Sequence, residues 1–504
     1  MLGYYRNHQE YVGFVLKQLF KLGDTHPEQV RYYKDTILKM LLMNLDPMRP
    51  IIEPLYSYTG RPAQMQMEIF RSLVLMKGVG EILDRWVDKL LANPVLLALA
   101  GFTPDNMPKT SSYYDFINRV FPLDDKPVLR SFKSKPRAKL KKGEKLPPKN
   151  KHIVAKLVKR FINDEERFLK QLARRPERHL QRIFARVAVD SSVDRGLIDP
   201  ESVIVSGDGT PIETGASIYG RKVCNCTQLR IYKCDCPRLF SDPSANWGWD
   251  SHNERYFYGH TWYFISTHNK DDKIDLPLYT RLVQGSRHDS VSAVFALAEF
   301  RELNPNLTLN SFVSDSASDN YATYDLLHHL DINAVIALGK SNNGNFKHPP
   351  PIRIDEQGTP ICPADRPMSF HGLCKGRSRI KWRCPKQLNK LSSSKPCPDC
   401  SQSSYGRVVY TKPDWDRRLF TRIPRGSHAW KLIMRQRTAA ERINDRILID
   451  YAIEHSSVRG KKRISFFVTL AAINIHLDAQ LKYFNRRESD TFQAILDSSL
   501  VFNT

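Results

Sequence analysis

The sequence predicts a multidomain α/β protein: a helical N-terminal domain, a mixed sheet flanked by helices, and a Cys-rich insertion carried by the sheet domain. Three observations predict it. Apolar residues recur at helical spacing through residues 1–122. After Asp190 short β-branched and aromatic runs take over, first strand upon strand and then strand alternating with helix. Between 341 and 430 the composition shifts to Pro, Cys, Ser and Arg before helix resumes. At 504 residues and 41% hydrophobic, the chain is long enough for several domains and for a substantial core.

Taken in order, residues 1–125 carry helical spacing in "YYKDTILKMLLMNL" and in "EIFRSLVLMKGVGEILDRWVDKLLANPVLLALAGF". An ordinary bundle and a DNA-binding head that lays one helix in a groove fit this pattern equally. Residues 126–152 are a basic arm or linker. In "RSFKSKPRAKLKKGEKLPPKNK" Glu144 is the single acid, and so few apolar residues predict disorder when free and contact with phosphates when bound. Residues 153–198 form a helical connector, "HIVAKLVKRFINDEERFLKQLARR", which Pro176 should break. Residues 199–340 hold the first part of the sheet core, with strands in "SVIVSG", "ERYFYGHTWYFISTH", "DLPLYTRLVQGS", "LNSFVSDSASD" and "NAVIALG". The insertion spans 341–430, the last part of the core 431–485, and a tail 486–504.

Lys and Arg number 77 against 53 Asp and Glu, a formal charge of +24. Such an excess repels itself unless a polyanion is the partner, which favours nucleic acid over a membrane surface. The start "MLGYYRNHQE" is polar where a secretory signal needs an apolar stretch. The longest apolar run, "ISFFVTLAAINIHL" (464–477), is short for a bilayer and contains Asn474 and His476, so a buried helix and a cytoplasmic setting are expected.

In "ESVIVSGDGTPIE" (201–213) a β-branched run meets Asp208 between two glycines. Asp-Gly after a strand predicts a tight turn, so Asp208 should end its strand with the turn holding its carboxylate out. Asp315, in "NSFVSDSASDNYATYDLL", also ends an apolar strand just before a helix. If the strands are neighbours, both acids face one crevice, and two adjacent carboxylates call for a hard divalent cation. A third acid, Glu441, lies in "RQRTAAERIND". A helical wheel buries Ala440, Ile443, Ile447 and Tyr451 and sets Glu441 at the flank, beside Arg437, Asn444 and Leu448, with Arg442 about 100° away. Taken by themselves, Glu441 and Arg437 read first as a structural ion pair. His288 and Asp289, in "GSRHDS", are supporting candidates, with a helix N-cap at Asp289 as the plain alternative.

"VSGDGTPI", "SDSASDNY" and "RQRTAAERIND" ahead of an apolar C-terminal helix resemble the DDE transposases of bacterial insertion sequences. So do "GRPAQMQMEIFRSLVLMKGV…LALAGF" (60–102) and "FSDPSANWGWDSHNERYFYGHTWY", and the resemblance runs from about Gly60 to about Phe484. It implies an RNase H-like fold with the first acid on the first strand, the second at the end of the fourth and the third on a later helix. It assigns Asp208, Asp315 and Glu441 as catalytic acids binding two Mg²⁺ or Mn²⁺ ions, with Arg437, Arg442, His288 and Asp289 contacting DNA phosphate or supporting the acids. The implied partners are double-stranded DNA, as terminal inverted repeats and target, and a second copy in a synaptic homodimer, nucleoid-associated in a bacterial cytoplasm. Met434 and Leu448 stand where the family places a Tyr and a Lys or Arg, so these two positions do not supply its terminal-phosphate clamp. The reaction needs an activated water or 3′-hydroxyl, in-line attack and a stabilised leaving oxygen, which a metal pair ~3.5–4 Å apart supplies. The rival expectations are a nuclease that cuts without joining and a non-catalytic, zinc-stabilised DNA-binding protein.

All nine cysteines fall between Cys224 and Cys400, which suggests local metal chemistry. "CNCTQLRIYKCDC" offers Cys224, Cys226, Cys234 and Cys236 as a candidate structural Zn²⁺ site, with reduced surface thiols as the alternative. Cys374, Cys384, Cys397 and Cys400 offer a second knuckle. Trp247 and Trp249 are expected as core lids, or as surfaces on which a base could stack.

Overall fold

The computed structural model describes residues 1–131, 152–339, 351–388, 401, 403–454 and 458–487. Most of the basic arm lies outside the described residues, as do Cys397, Cys400 and the tail from 488. The strands in chain order are β1 (Val128–Arg130), β2 (Val203–Glu213), β3 (Arg221–Lys222), β4 (Arg238–Phe240), β5 (Asn246–Asp250), β6 (Arg255–Asn269), β7 (Ile274–Gln284), β8 (Leu309–Ser314), β9 (Asn333–Ile336), β10 (Ser369–Cys374), β11 (Arg379–Arg383) and β12 (Val408–Thr411).

A mixed sheet forms the centre. β6 pairs antiparallel with β2 along one edge and with β7 along the other, and β5 takes over that second edge beyond Gly259. On its far side β2 runs parallel to β8, and β8 parallel to β9. Four consecutive residues of β6, Trp262 to Ile265, are buried. Since neighbouring strand residues point to opposite faces, both faces of this sheet are covered, which suits its near-continuous apolar composition.

Over its central stretch, 464–481, the Lys461–Arg487 helix is mostly apolar around its whole circumference because the fold encloses it there. It is the one described helix long and apolar enough to cross a membrane, yet 89% of its most apolar window is buried inside the fold. Two of its polar residues are held by buried hydrogen bonds: Asn474 donates to Val74 O, and the His476 ring bonds Pro277 O and Ser192 Oγ. Burial drives the His476 pKa down to about 4, keeping the ring neutral. Phe466 meets Phe116 of the N-terminal helices, so those helices share one continuous core with the sheet.

Three local expectations are corrected. β2 does not stop at Gly207; it continues to Glu213 with Asp208 paired opposite Phe264, because β6 is long enough to hold it extended. The connector's first stretch, before Pro176, is two helices, Ile153–Asn163 and Glu165–Ala173, because the Asp164 side chain caps the second by accepting from Arg167 N–H. Trp247 and Trp249 are not lids. They stand on β5, 47% and 53% exposed, their rings edge-on to Tyr258 and Tyr256 across the pair. The insertion folds as a separate three-stranded sheet, β10–β11–β12, around Met368, Ile380, Trp382, Leu419 and Phe420.

Candidate metal centres

Pairing between β2 and β8 ends at Ser206 opposite Val313. Asp208 lies two residues beyond that point, midway along β2, and Asp315 directly after β8, so both acids stand just past the carboxyl end of the parallel β2–β8 ladder. Ligand crevices of open α/β sheets form at this position. Asp315 is fixed by a short helical turn, Ser316–Ser318, which it caps by accepting from Ala317 N–H at 2.9 Å. The turn is braced from behind: Arg418 of the insertion grips Asp319 through two bonds of 2.8 Å, almost fully buried.

The glycines around Asp208 serve space, since neither has a positive φ. A Cβ on Gly207 would collide with the Tyr263 hydroxyl and come within 2.9 Å of the Phe312 ring, and one on Gly209 would collide with the Asp289 carboxylate. Strand alternation therefore places Tyr263 and Asp289 behind the strand and Asp208 on its front face, toward the Thr438–Asp445 helix. There Asn444 Nδ2 donates to Asp208 Oδ2 at 3.1 Å. Burial, reinforced by the Asp315 charge, pushes Asp208 up to about 6, against hydrogen bonds from Gly209 and Asn444 and the charge of Arg437. Burial first, and then Asp208 and Asp315, push Asp289 up to about 7.

Glu441 is not packed against the two aspartates. Its side chain is 51% exposed and pairs with Arg437, whose charge does reach Asp208. Asn444, one turn further along, is the residue of this helix that touches Asp208, because the burial of Ala440, Ile443 and Ile447 sets the helix rotation. Arg442 grips Asp275 of β7 through bonds of 2.5 and 2.8 Å. His288, not Asp289, is the N-cap of the Asp289–Leu303 helix, its ring accepting from Ser290 N–H. That helix is pinned from below by the buried Arg281, which pairs with Glu299 at 2.7 Å and Glu177 at 3.1 Å.

Asn444 and Tyr263 escaped sequence reasoning. Asn444 was visible as the i+3 neighbour of Glu441, whereas nothing local in the aromatic run of β6 marks Tyr263. The Asn444 Oδ1 atom is buried without a hydrogen-bond partner among the described residues, and none of Asp208, Asp289 and Asp315 has an ion-pair partner there. An oxygen-rich recess short of positive charge suits a hard divalent cation.

A second cluster is made of sulfur. Cys224, Cys226, Cys234 and Cys236 form the one group of three or more metal-ligating side chains among the described residues whose donor atoms all lie within 4.8 Å of one another. Cys224 faces Cys234 and Cys226 faces Cys236, each with 3.6 Å between sulfurs. This cluster can hold a metal ion such as zinc. The proposed second knuckle is corrected as far as it is described. The β10–β11 register puts Cys374 at the hairpin turn and Cys384 just past the opposite end, five residue pairs away or roughly 17 Å. No protein family and no curated protein matches the chain.

Proposed function

We propose that this protein is a DNA transposase, cutting phosphodiester bonds at element ends with the help of divalent metal and joining the freed 3′-hydroxyl to target DNA. One observation carries the proposal: Asp208 and Asp315 lie just past the end of the parallel β2–β8 ladder, close enough for the Asp315 charge to act on Asp208, beside the helix whose residues Arg437, Glu441 and Asn444 face this end. In the six-stranded sheet β2 is first and β8 fifth in chain order; with β5, which shares one edge of β6 with β7, set aside, β8 is fourth, which supports an RNase H-like arrangement.

Asp208 and Asp315 would hold Mg²⁺ or Mn²⁺, with Asn444 Oδ1 as a neutral oxygen beside them. Bound there, the metal supplies an activated nucleophile and stabilises the leaving oxygen. Arg437 stands where its guanidinium pairs with a non-bridging phosphate oxygen. On leaving Glu441 for phosphate, it frees that carboxylate to turn inward as the third acid. Asp289 and Tyr263, behind the strand, keep Asp208 extended and dry. The +24 charge supports DNA as the partner, bound mainly through phosphates and therefore sensitive to salt. Two ends must be brought together, which favours a homodimer in the active complex.

The test is a strand-transfer assay with a pre-cleaved 3′-hydroxyl end, Mg²⁺ and full-length protein. Joined product supports the proposal, cutting without joining moves the protein to the nucleases, and no metal-dependent cutting overturns both. Asn444→Ala should raise the Mg²⁺ concentration for half-maximal cleavage by about 10–100-fold, the scale for groups that orient metal ligands.

A further inference from the structure

Residues 217–240 contain not one buried residue. Tyr219, Val223, Leu229, Ile231 and Tyr232 are all exposed, so apolar burial does not hold this segment in shape. Segments that cannot build a core depend on another kind of cross-link. Yet its backbone is ordered into β3 and β4, which pair through Arg221 opposite Leu239 and Lys222 opposite Arg238. Cys224 and Cys226 follow β3 at once, Cys234 and Cys236 come just before β4, and the four sulfurs converge in between.

We propose that Cys224, Cys226, Cys234 and Cys236 bind one Zn²⁺ as a tetrathiolate, and that this ion holds the small sheet on which the root of the basic segment is seated. A tetrahedral ion with Zn–S bonds of ~2.3 Å sets sulfurs about 3.8 Å apart. The observed 3.6 Å separations fit that geometry and are far too long for disulfides, which bond at about 2.05 Å. Four thiolate ligands leave no open position, so the role is structural.

The consequence reaches outside the segment. The free edge of β4 carries β1, with Val128 opposite Phe240, Leu129 opposite Leu239 and Arg130 opposite Arg238. All three β1 residues are exposed, so β1 is held by this ladder and by the bond from Arg130 to Pro243 O. The chain passes directly from β1 into the lysine-rich sequence 132–151. Closing the cysteine loop therefore fixes the point from which that positive charge departs. This inference does not depend on the transposase proposal, since neither cluster shares a residue with the other.

The test measures metal in full-length protein purified under reducing conditions without added zinc. One Zn per chain is expected, lost in Cys224→Ser/Cys234→Ser and retained in Cys374→Ser. Exchange of the wild-type ion for Co²⁺ should produce the visible absorption of a tetrahedral cobalt thiolate, a readout independent of any variant's folding. Amide hydrogen exchange at 128–130 and 221–240 should quicken at least tenfold on chelation, with β2 and β6 unchanged. Metal-free wild type with four reduced thiols, or disulfide-linked peptides from these cysteines, would overturn the ion. Exchange at 128–130 that ignores chelation would overturn the seating of β1.

Discussion

The acid cluster and the sulfur cluster assemble their donors in opposite ways. Asp208, Asp315 and Asn444 come from distant points of the chain and are placed by strands and helices whose other faces are deep in the core. The four cysteines come from 13 consecutive residues, 224–236, on a segment without a buried residue. In the first case the fold exists before the metal and can tolerate unneutralised acids. In the second, on the proposal made above, an ion would be part of what makes the fold. The acid cluster should therefore show its metal in chemistry and the sulfur cluster in stability.

The largest expected effect would break that contrast if it failed. Asp208→Asn and Asp315→Asn should each lower Mg²⁺-dependent cleavage by about 10³-fold, the scale of losing one group that stabilises developing charge. Neither should lower the melting temperature, because burial already penalises the Asp208 charge. A large thermal loss in Asp208→Asn would mean the acid serves the fold.

The next effect concerns the joint between the two regions. Asp242, fully buried, bonds the His260 ring at 3.1 Å and accepts from Thr214 Oγ1 and Gly460 N–H, tying the end of the cysteine segment to β2, β6 and the start of the C-terminal helix. Burial alone would raise its pKa, but His260, Thr214 and Gly460 outweigh that and hold the carboxyl well below its ordinary 3.8. A depressed acid contributes stability that is complete above its unfolded value and fades as pH falls toward the folded one. Asp242→Ala should thus cost about 3–5 kcal/mol at pH 7. Thermal unfolding should show the gap to wild type narrowing below about pH 4. A gap unchanged between pH 7 and pH 3 would show that the ionisation of Asp242 is irrelevant to stability.

Gly209→Ala sharpens the first half of the contrast. Its methyl would displace the Asp289 carboxylate, costing about 1–3 kcal/mol and reducing cleavage with it. Equal activity and stability in chemical denaturation and nicking assays would remove the close approach behind Asp208 from the account. The smallest effect is expected on the open edge. Trp249→Ala, at an exposed β5 position, should change stability by no more than about 0.5 kcal/mol in the same denaturation experiment.

Much was legible in local pattern because burial writes itself into spacing. The wheel of Ala440, Ile443, Ile447 and Tyr451 is the buried face of its helix, all four below a tenth exposed. The aromatic run of β6, the apolar runs of β8 and β9 and the enclosed C-terminal helix follow the same logic. The pairing of cysteines across one short loop was also legible, because nearness in sequence brings those sulfurs together. Asp208 shows where such reading stops. Asp-Gly signals a turn, but the partner strand β6 extends past it and holds β2 straight, a long-range hydrogen-bonding effect with no local trace.

By itself the sequence determined a mixed α/β chain, the basic excess, the strands that lead to Asp208 and Asp315, and the local sulfur cluster. Tertiary structure alone decided that Asn444 rather than Glu441 touches Asp208, that Arg442 belongs to Asp275, that Asp289 stands behind the strand, and that Cys374 and Cys384 stand at opposite ends of their hairpin. The reason is physical. Periodicity records how far each side chain is removed from water, whereas the choice of a polar partner depends on helix rotation, strand register and the few ångströms between elements that meet only when the chain has folded.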